Sequence, residues 1–348
     1  MTPAASLMLP PVSFVMPVLN EAAYIAEAVA SIFAQNYPNE FELLLVLGNS
    51  TDGTTALAAE LAEKHPQIRL INNPTNHIPA ALNLGFNAAK HSVIVRVDAH
   101  SKLNSGYVER AVTELLRTGA ANIGGVMRAA GRTKKQQAIA DCYNSPFGLG
   151  GGVYHGEAPA GKAESAYLGV FNRAAAVQAG GFDETILRGE DWELNRRIRN
   201  LGEKVWFDPQ LKVTYYPRDS FRALAKQFWA TGVWRAVIMR RYLSEHPARF
   251  FAPGLLVAAL LFSAIITVIG GVGFTNNGNL TLLFLGLALP VSYLLGLIFA
   301  VFTMRPQNIR AALLRLSALP VMHLSWGLGF WRGFLFGGGS SVDRSRLR

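Results

Sequence analysis

Asp98 and His100 stand two positions apart at the end of the apolar run Val93-Ile94-Val95-Arg96-Val97. The β-branched run, interrupted only by Arg96, reads as a buried strand. In an open α/β sheet, ligands gather beyond the carboxyl ends of the strands. A carboxylate oxygen and an imidazole nitrogen held there can grip a divalent cation, the oxygen suiting Mg²⁺ or Mn²⁺ and the nitrogen leaning toward Mn²⁺. Two side chains do not by themselves define a metal site. A solvated strand-to-loop turn accounts for the same residues, since Asp is common in turns.

A second acidic pair lies in Arg188-Gly189-Glu190-Asp191-Trp192-Glu193-Leu194, which opens a helix with Leu194, Ile198 and Leu201 on one face. Glu190 and Asp191 fall in its first turn, where a carboxylate gains about 0.3 to 1 kcal/mol from the helix dipole and needs no further role. Between the two pairs runs Phe147-Gly148-Leu149-Gly150-Gly151-Gly152-Val153. Its glycines leave the backbone free to move or to approach a ligand closely, and a flexible surface loop satisfies them equally. Neither G-x-G-x-x-G nor G-x-x-x-x-G-K-[ST] follows the first apolar run, which argues against a dinucleotide dehydrogenase and a P-loop NTPase. A diphosphate would have to be held some other way, and a cation at Asp98 and His100 would hold it.

The elements that position these residues alternate. Val12 to Met16 is a strand ended by Pro17, and Asn20 and Glu21 open a capped amphipathic helix carrying Ile25, Val29, Ile32 and Phe33. Phe41 to Leu47 repeats the strand, and Asn49 to Thr55 supplies a turn and cap for a helix ending near His65. Ile68 to Ile71, Pro79 to Lys90 and Val93 to Val97 continue the pattern as strand, helix and strand. This spacing implies a nucleotide-binding type of α/β domain with a mostly parallel sheet and right-handed crossovers. Beyond it come a helix over Ser105 to Arg117, a strand near Asn122 to Met127, a basic patch at Arg128, Arg132, Lys134 and Lys135, and a strand over Tyr167 to Phe171 capped by Asn172.

The 348 residues carry a net charge of +10. The arginines cluster around apolar runs in the C-terminal third, at Arg235, Arg240, Arg241, Arg249, Arg305, Arg310 and Arg315. That placement favours a membrane over nucleic acid, for which no recognition motif is present. The single cysteine, Cys142, excludes an intramolecular disulfide and allows a reducing compartment. No basic, cleavable leader pattern opens the sequence. Phe251 to Phe274 and Leu280 to Met304 are uncharged over more than twenty residues each, enough to cross a hydrocarbon core about 30 Å thick. The link Thr275 to Asn279 has no basic residue while both flanks are rich in Arg, so the positive-inside rule places the flanks and the preceding domain in the cytoplasm.

Leu316 to Phe336 is read as a third membrane segment, tilted or re-entrant, because Arg332 and the tail arginines oppose a simple crossing. His323 and Trp326 within it could meet a lipid-linked acceptor, and a packed histidine and interfacial tryptophan explain them as well. Residues 220 to 243 interleave Phe221, Leu224, Phe228, Trp229 and Trp234 with Arg222, Lys226, Arg235 and Arg240, as an amphipathic helix on the membrane face does. The expected organisation is therefore a domain over 1–219, an interfacial helix and linker over 220–249, a membrane region over 250–338 and a basic tail over 339–348.

Taken in order, Val15-Met16-Pro17-Val18-Leu19-Asn20-Glu21, Ser50-Thr51-Asp52-Gly53-Thr54, Ala80-Ala81-Leu82-Asn83-Leu84-Gly85, Val97-Asp98-Ala99-His100, Tyr167-Leu168-Gly169-Val170-Phe171 and Gly189-Glu190-Asp191-Trp192 resemble family 2 glycosyltransferases of the GT-A fold. The likeness is strongest to the membrane-attached branch that builds succinoglycan and other exopolysaccharides. It implies that Pro17, Asn20, Glu21, Asp52 and Asn83 line the donor pocket with Asp98, and that Asp98 and His100 hold Mn²⁺ or Mg²⁺. It implies further that Asp191 is the catalytic base beside Glu190, and that Gly150, Gly151, Gly152 and Trp192 face the acceptor.

Many relatives carry an aspartate shortly before the Ser-x-Asp-Gly turn, where this chain has Leu47-Gly48-Asn49, which leaves the nucleotide open. The chain also lacks the Gln-x-x-Arg-Trp of processive synthases, which points to transfer of a single sugar. The expected activity is inverting, metal-dependent transfer from a nucleotide-diphosphate sugar to a lipid-linked or growing polysaccharide acceptor, at the cytoplasmic face of the inner membrane. Membrane lipids are expected partners, nucleic acid is not, and other glycan-assembly enzymes fit the pathway. The alternatives are a polyprenyl-phosphate glycosyltransferase and, in a different class, an inactive membrane scaffold. The intact Asp98 and Asp191 argue against the scaffold.

Overall fold

The strand β1 (Val12–Val18) is buried along almost its whole length, as a strand covered on both faces of a parallel sheet must be. The computed structural model describes residues 8–149, 158–245, 248–277 and 280–339. In chain order the elements after β1 are α1 (Ile25–Phe33), β2 (Phe41–Leu47), α2 (Thr54–Lys64), β3 (Ile68–Asn72), α3 (Ile78–Ala88), β4 (Val93–Arg96), β5 (Ser101–Leu103), α4 (Tyr107–Thr118) and β6 (Asn122–Ala129). There follow α5 (Lys134–Asn144), α6 (Pro146–Leu149), β7 (Gly161–Lys162), β8 (Tyr167–Asn172), α7 (Arg173–Gln178), α8 (Glu190–Asn200) and β9 (Val205–Tyr215). The chain ends in α9 (Phe221–Arg241), α10 (Ala252–Asn277), α11 (Thr281–Thr303) and α12 (Ile309–Phe336).

The described residues form two units, one from 8–129 and 158–216, the other from 130–149 and 217–339. The first is an α/β domain around one sheet ordered β3-β2-β1-β4-β8-β6-β9-β5, with β7 paired to β9. β3, β2, β1 and β4 run parallel, β8 is antiparallel to both neighbours, and β6 and β9 are again parallel. The mostly parallel sheet expected from the alternation is present, with β8 inserted against the grain. Helix α3 lies close on β1, since a Cβ on Gly85 would collide with the Val15 side chain. Below the sheet β2 is anchored by a buried carboxylate. Glu42 accepts from Ser13 Oγ at 2.7 Å, from Arg69 Nη1 at 2.6 Å and from the Lys90 N–H at 2.6 Å.

One expected cap is different. Helix α1 starts at Ile25 rather than at Asn20, because residues 21 to 24 close a turn in which the Tyr24 and Ile25 N–H groups both bond to the Glu21 carbonyl. Asn20 instead takes a left-handed φ of 54°. Asn172 caps α7 as expected, its Oδ1 accepting from the Ala175 N–H at 3.3 Å.

The second unit is helical. Helices α10, α11 and α12 have 26, 23 and 28 residues, about 35 to 42 Å at 1.5 Å per residue, longer than a hydrocarbon core about 30 Å thick. All three are long and apolar enough to cross a membrane. They expose Phe262, Val268, Phe284, Leu295 and Phe302, an apolar surface of the kind lipid covers. Pro290 in α11 removes the helical donor that the Gly286 carbonyl would take, and Ser263 Oγ of α10 supplies one instead.

The apolar face of α9, read from sequence as lying on lipid, is packed against α12. Gly232, Gly329 and Gly333 leave room for no Cβ, each facing backbone of the other helix. Residues 130–149, read as part of the N-terminal domain, group with these helices. The carboxylate of Asp141 on α5 receives Nε and Nη2 of the buried Arg315 at 2.9 and 2.5 Å. Arg315 Nη1 also donates to the Met304 carbonyl at 3.1 Å. A buried guanidinium inside a long apolar helix needs such partners.

Candidate active site at the carboxyl ends of the strands

The β1–β4 register ends with Val15 opposite Arg96, and one further bond runs from the Val97 N–H to the Val15 carbonyl at 3.0 Å. Pro17 has no N–H with which to continue the ladder, so the strands part where Asp98 begins. A tight turn follows, with the Asp98 carbonyl accepting from the Ser101 N–H at 2.9 Å and Ser101 Oγ at 2.7 Å.

Arg96 is the centre of the site. Its guanidinium is buried, with Nη2 3.1 Å from Glu190 Oε1 and 3.4 Å from Asp98 Oδ1. Its Nε is also buried and has no hydrogen-bond partner among the described residues. Burial opposes the charge of Arg96, but Asp98, Glu190 and Asp191 outweigh it and hold the guanidinium firmly protonated. Burial pushes the Glu190 carboxyl above its ordinary range; Arg96 opposes this and Asp191 and Asp98 reinforce it. Three acids, Asp98, Glu190 and Asp191, thus act on the one buried guanidinium of Arg96.

His100 turns Nδ1 to Glu21 Oε1 at 3.0 Å and sets its ring edge-on to Tyr215, 5.3 Å between centroids. The hydrogen bond of one ring nitrogen decides which nitrogen can ligate, so Nε2 of His100 would face a cation. Among the described residues no third His, Cys, Asp or Glu completes a cluster with Asp98 and His100. Two such side chains would suit a hard cation that takes its other ligands from elsewhere.

The loop after β1 is stitched to the loop after β2. The Asn20 N–H donates to Ser50 Oγ at 3.0 Å, the Thr51 N–H to Asn20 Oδ1 at 2.7 Å, and the Glu21 N–H to Thr54 Oγ1 at 2.8 Å. Asp52 closes the seam, with Oδ2 accepting from the Ala22 N–H and Oδ1 from the Thr54 N–H, both at 3.1 Å. Burial opposes its ionisation, and these bonds together with the Thr54 hydroxyl outweigh it and lower its pKa. Asp52 is therefore engaged in holding the loop. Nδ2 of Asn20 is buried with no partner among the described residues, a donor available to a ligand.

Asn83 is committed elsewhere. Its amide receives the Phe182 N–H at 2.8 Å and donates to the Phe182 carbonyl and Glu184 Oε1, each at 2.9 Å. It fixes the turn that leads to α8. Helix α8 begins after Gly189, which takes a left-handed φ of 85°. It is held by Glu193–Arg197 at 2.7 Å, by Arg197 Nη2 on the Gly181 carbonyl at 2.6 Å, and by Asn195, which bridges Asn122 at 2.7 Å and Ser165 at 3.0 Å. Asp191 is half-buried in its first turn, with Oδ1 accepting from the Trp192 N–H at 2.7 Å. Trp192 is buried, only 4% exposed. Gly150, Gly151 and Gly152 lie outside the described residues.

Sequence reasoning passed over Arg96 and Tyr167. A charged side chain inside a β-branched run was the signal for Arg96, because such a group is buried only with partners. The Tyr167 hydroxyl is buried without a hydrogen-bond partner among the described residues, and burial and the Asp98 charge keep it protonated. Leu168 and Gly169 follow with left-handed φ of 60° and 66°, and the β6–β8 register shifts between Ile123 and Gly125. A buried leucine in that conformation is strained, and such strain gathers at functional sites.

Residues 13–161 match the family model described as glycosyl transferase family 2. The succinoglycan biosynthesis protein ExoA of Rhizobium meliloti is 30% identical, covering 92% of this chain and 94% of that protein. A dolichyl N-acetyl-alpha-D-glucosaminyl phosphate glucuronosyltransferase of Methanococcus voltae is 23% identical over 66% of this chain and 74% of its own length. In fold, the chain is similar to the mannosyltransferase PcManGT of Pyrobaculum calidifontis, solved with GDP-Man and Mn²⁺, at a TM-score of 0.57 and 17% identity over 94% of this chain and 88% of that one.

Proposed function

The chain belongs to glycosyl transferase family 2 and is a glycosyltransferase, and from that premise we propose that it moves one sugar from a nucleotide diphosphate to a lipid-linked acceptor, with inversion. The observation that carries the reading is Arg96, which ties Asp98 at the end of β4 to Glu190 at the start of α8, 94 positions away. The residues proposed for the leaving group and for the base thereby share one site.

A divalent cation held by Asp98 and Nε2 of His100 would neutralise charge on the departing diphosphate. Glu21 orients that imidazole through Nδ1. Asn20 Nδ2 and the stitched 50–54 loop receive the nucleoside. Asp191, in the first turn of a rigidly tied helix, takes the proton of the acceptor hydroxyl as the new glycosidic bond forms on the opposite face from the leaving phosphate. Glu190 keeps Arg96 in place. Arg96 in turn keeps the acids together without repulsion driving them apart.

The Methanococcus relative is named for a sugar phosphate carried on dolichol, which supports a lipid-linked sugar as acceptor. The three apolar helices support attachment to the membrane where such acceptors reside, with the catalytic residues on the cytoplasmic side as the arginine distribution indicates. The similarity to a succinoglycan biosynthesis protein supports a place in exopolysaccharide assembly. The test is a panel of UDP-, GDP- and dTDP-sugars, scored by thermal stabilisation with and without Mn²⁺, followed by transfer of the stabilising sugar to polyprenyl-linked saccharides. Absence of stabilisation by every donor, together with no transfer, would sink the proposal.

A further inference from the structure

The helical unit contains a cavity of about 330 Å³ walled by α6, the residues leading into α10, and the middles of α11 and α12. Its walls are largely apolar, with Phe147, Ala252, Pro253 and Leu256 among them. One side is fixed by a polar chain in which Tyr293 Oη meets His323 Nδ1 at 3.0 Å and His323 Nε2 meets the Phe147 carbonyl at 2.7 Å. Trp326 also lines the cavity, and its indole N–H is buried with no hydrogen-bond partner among the described residues.

The rim is cationic. The ring of Phe250 carries the guanidinium of Arg235 at 4.1 Å and that of Arg249 at 4.9 Å, and Arg249 lines the cavity. Among the described residues that wall the cavity none is acidic. Two like charges on one aromatic ring, beside an unmade N–H donor, suit an anionic group at the mouth of an apolar recess.

We propose that this cavity binds the phosphate-proximal end of a polyisoprenyl phosphate, the apolar chain entering between α10, α11 and α12 and the phosphate oxygens meeting Arg249 and the Trp326 N–H. At about 30 Å³ per small heavy-atom group the space takes on the order of ten such groups, about two isoprene units of a single chain. A diacyl lipid brings two chains and a glycerol to its phosphate and does not fit one recess of that size. The inference rests on the reading of the acceptor as lipid-linked, and names where its lipid is held.

The experiment uses the full chain in detergent micelles with a polyisoprenyl monophosphate bearing a diazirine on its second isoprene unit. Irradiation should label peptides containing Phe147, Ala252 or Leu256. Excess unlabelled polyisoprenyl phosphate should remove the label, while the free polyisoprenol and dioleoyl phosphatidic acid should compete at least tenfold more weakly. Ala252→Phe, which fills the recess, and Trp326→Phe, which keeps its shape and removes the donor, should each cut labelling at least fivefold. Thermal stabilisation by nucleoside diphosphate in the same samples reports that the α/β unit is folded.

Label outside these walls, equal competition by phosphatidic acid, or undiminished labelling of the folded Ala252→Phe protein overturns the site. Transfer to lipid-linked saccharides with labelling elsewhere leaves the proposed function standing and removes this site. Labelling of the cavity in a protein that glycosylates only lipid-free glycans does the reverse.

Discussion

Nη2 of Arg96 lies 3.1 Å from Oε1 of Glu190, and both side chains are under a tenth exposed. A strand end and a helix start are thereby locked across the site by a buried ion pair. Removing one partner of such a pair costs about 3 to 5 kcal/mol, because the other charge stays buried uncompensated. Arg96→Gln should lower the melting temperature and cut transfer by at least about 10²-fold as α8 loses its register with Asp98. Calorimetry and single-turnover transfer measure the two effects, and near-native values for both would show that the pair is ornamental.

Asp191 separates two forecasts. As a base it supplies about 10² to 10⁴ in rate, whereas as a helix-dipole carboxylate it supplies at most about 1 kcal/mol of stability. Asp191→Asn keeps the shape, so turnover should collapse while donor affinity and melting temperature survive. Glu190→Gln should lose stability first. A turnover within tenfold of wild type for Asp191→Asn rules out the base.

Asp98→Asn removes the charged oxygen proposed as cation ligand while retaining the turn that Ser101 makes with the Asp98 carbonyl. Nucleotide binding followed by calorimetric titration should weaken and become insensitive to Mn²⁺. Full Mn²⁺-dependent affinity in this variant would place the cation elsewhere.

Glu42 makes the α/β unit sensitive to acid. Burial opposes its ionisation, but the Lys90 N–H, Arg69 and Ser13 together hold its pKa below the ordinary 4.5. A carboxyl depressed in the folded state adds stability that is complete above its unfolded pKa and is lost as pH falls through the folded value. Glu42→Gln should therefore cost about 1 to 3 kcal/mol at pH 7 and flatten the fall in stability below pH ~4.5. An unchanged acid limb in denaturant titrations would show that other carboxylates control it.

Cys142 is fully buried on α5, and burial with the neighbouring Asp141 pushes its thiol up to about 12, against the opposing Arg315. It should stay silent toward maleimide at pH 7, since the thiolate is the reactive form. A cysteine at the exposed Asn276 should then be labelled by an impermeant maleimide added to intact cells. Labelling only after lysis would reverse the proposed orientation.

The local signals in the chain were sufficient for some of this. Short, mostly apolar runs with helical spacing between them determined the α/β domain, because such patterns report burial. Uncharged stretches of over twenty residues determined α10 and α11 as membrane-length helices, because an apolar run of that length matches a hydrocarbon core. The positions of Asp98 and His100 at a strand end and of Glu190 and Asp191 in a first turn were also legible.

Tertiary structure decided what those residues touch. Arg96 finds Glu190, Glu21 finds His100, and Asn83 finds the turn at Phe182 across separations of 79 to 99 positions. No local pattern encodes such pairings. Asn20 reads as a helix cap, yet its side chain does better against the Thr51 N–H of another loop. The segment around α5 reads as part of the N-terminal domain until Arg315, buried in α12, takes Asp141 as its counter-charge. A buried charge must be paired wherever a partner can be brought, and only the folded chain determines which partner that is.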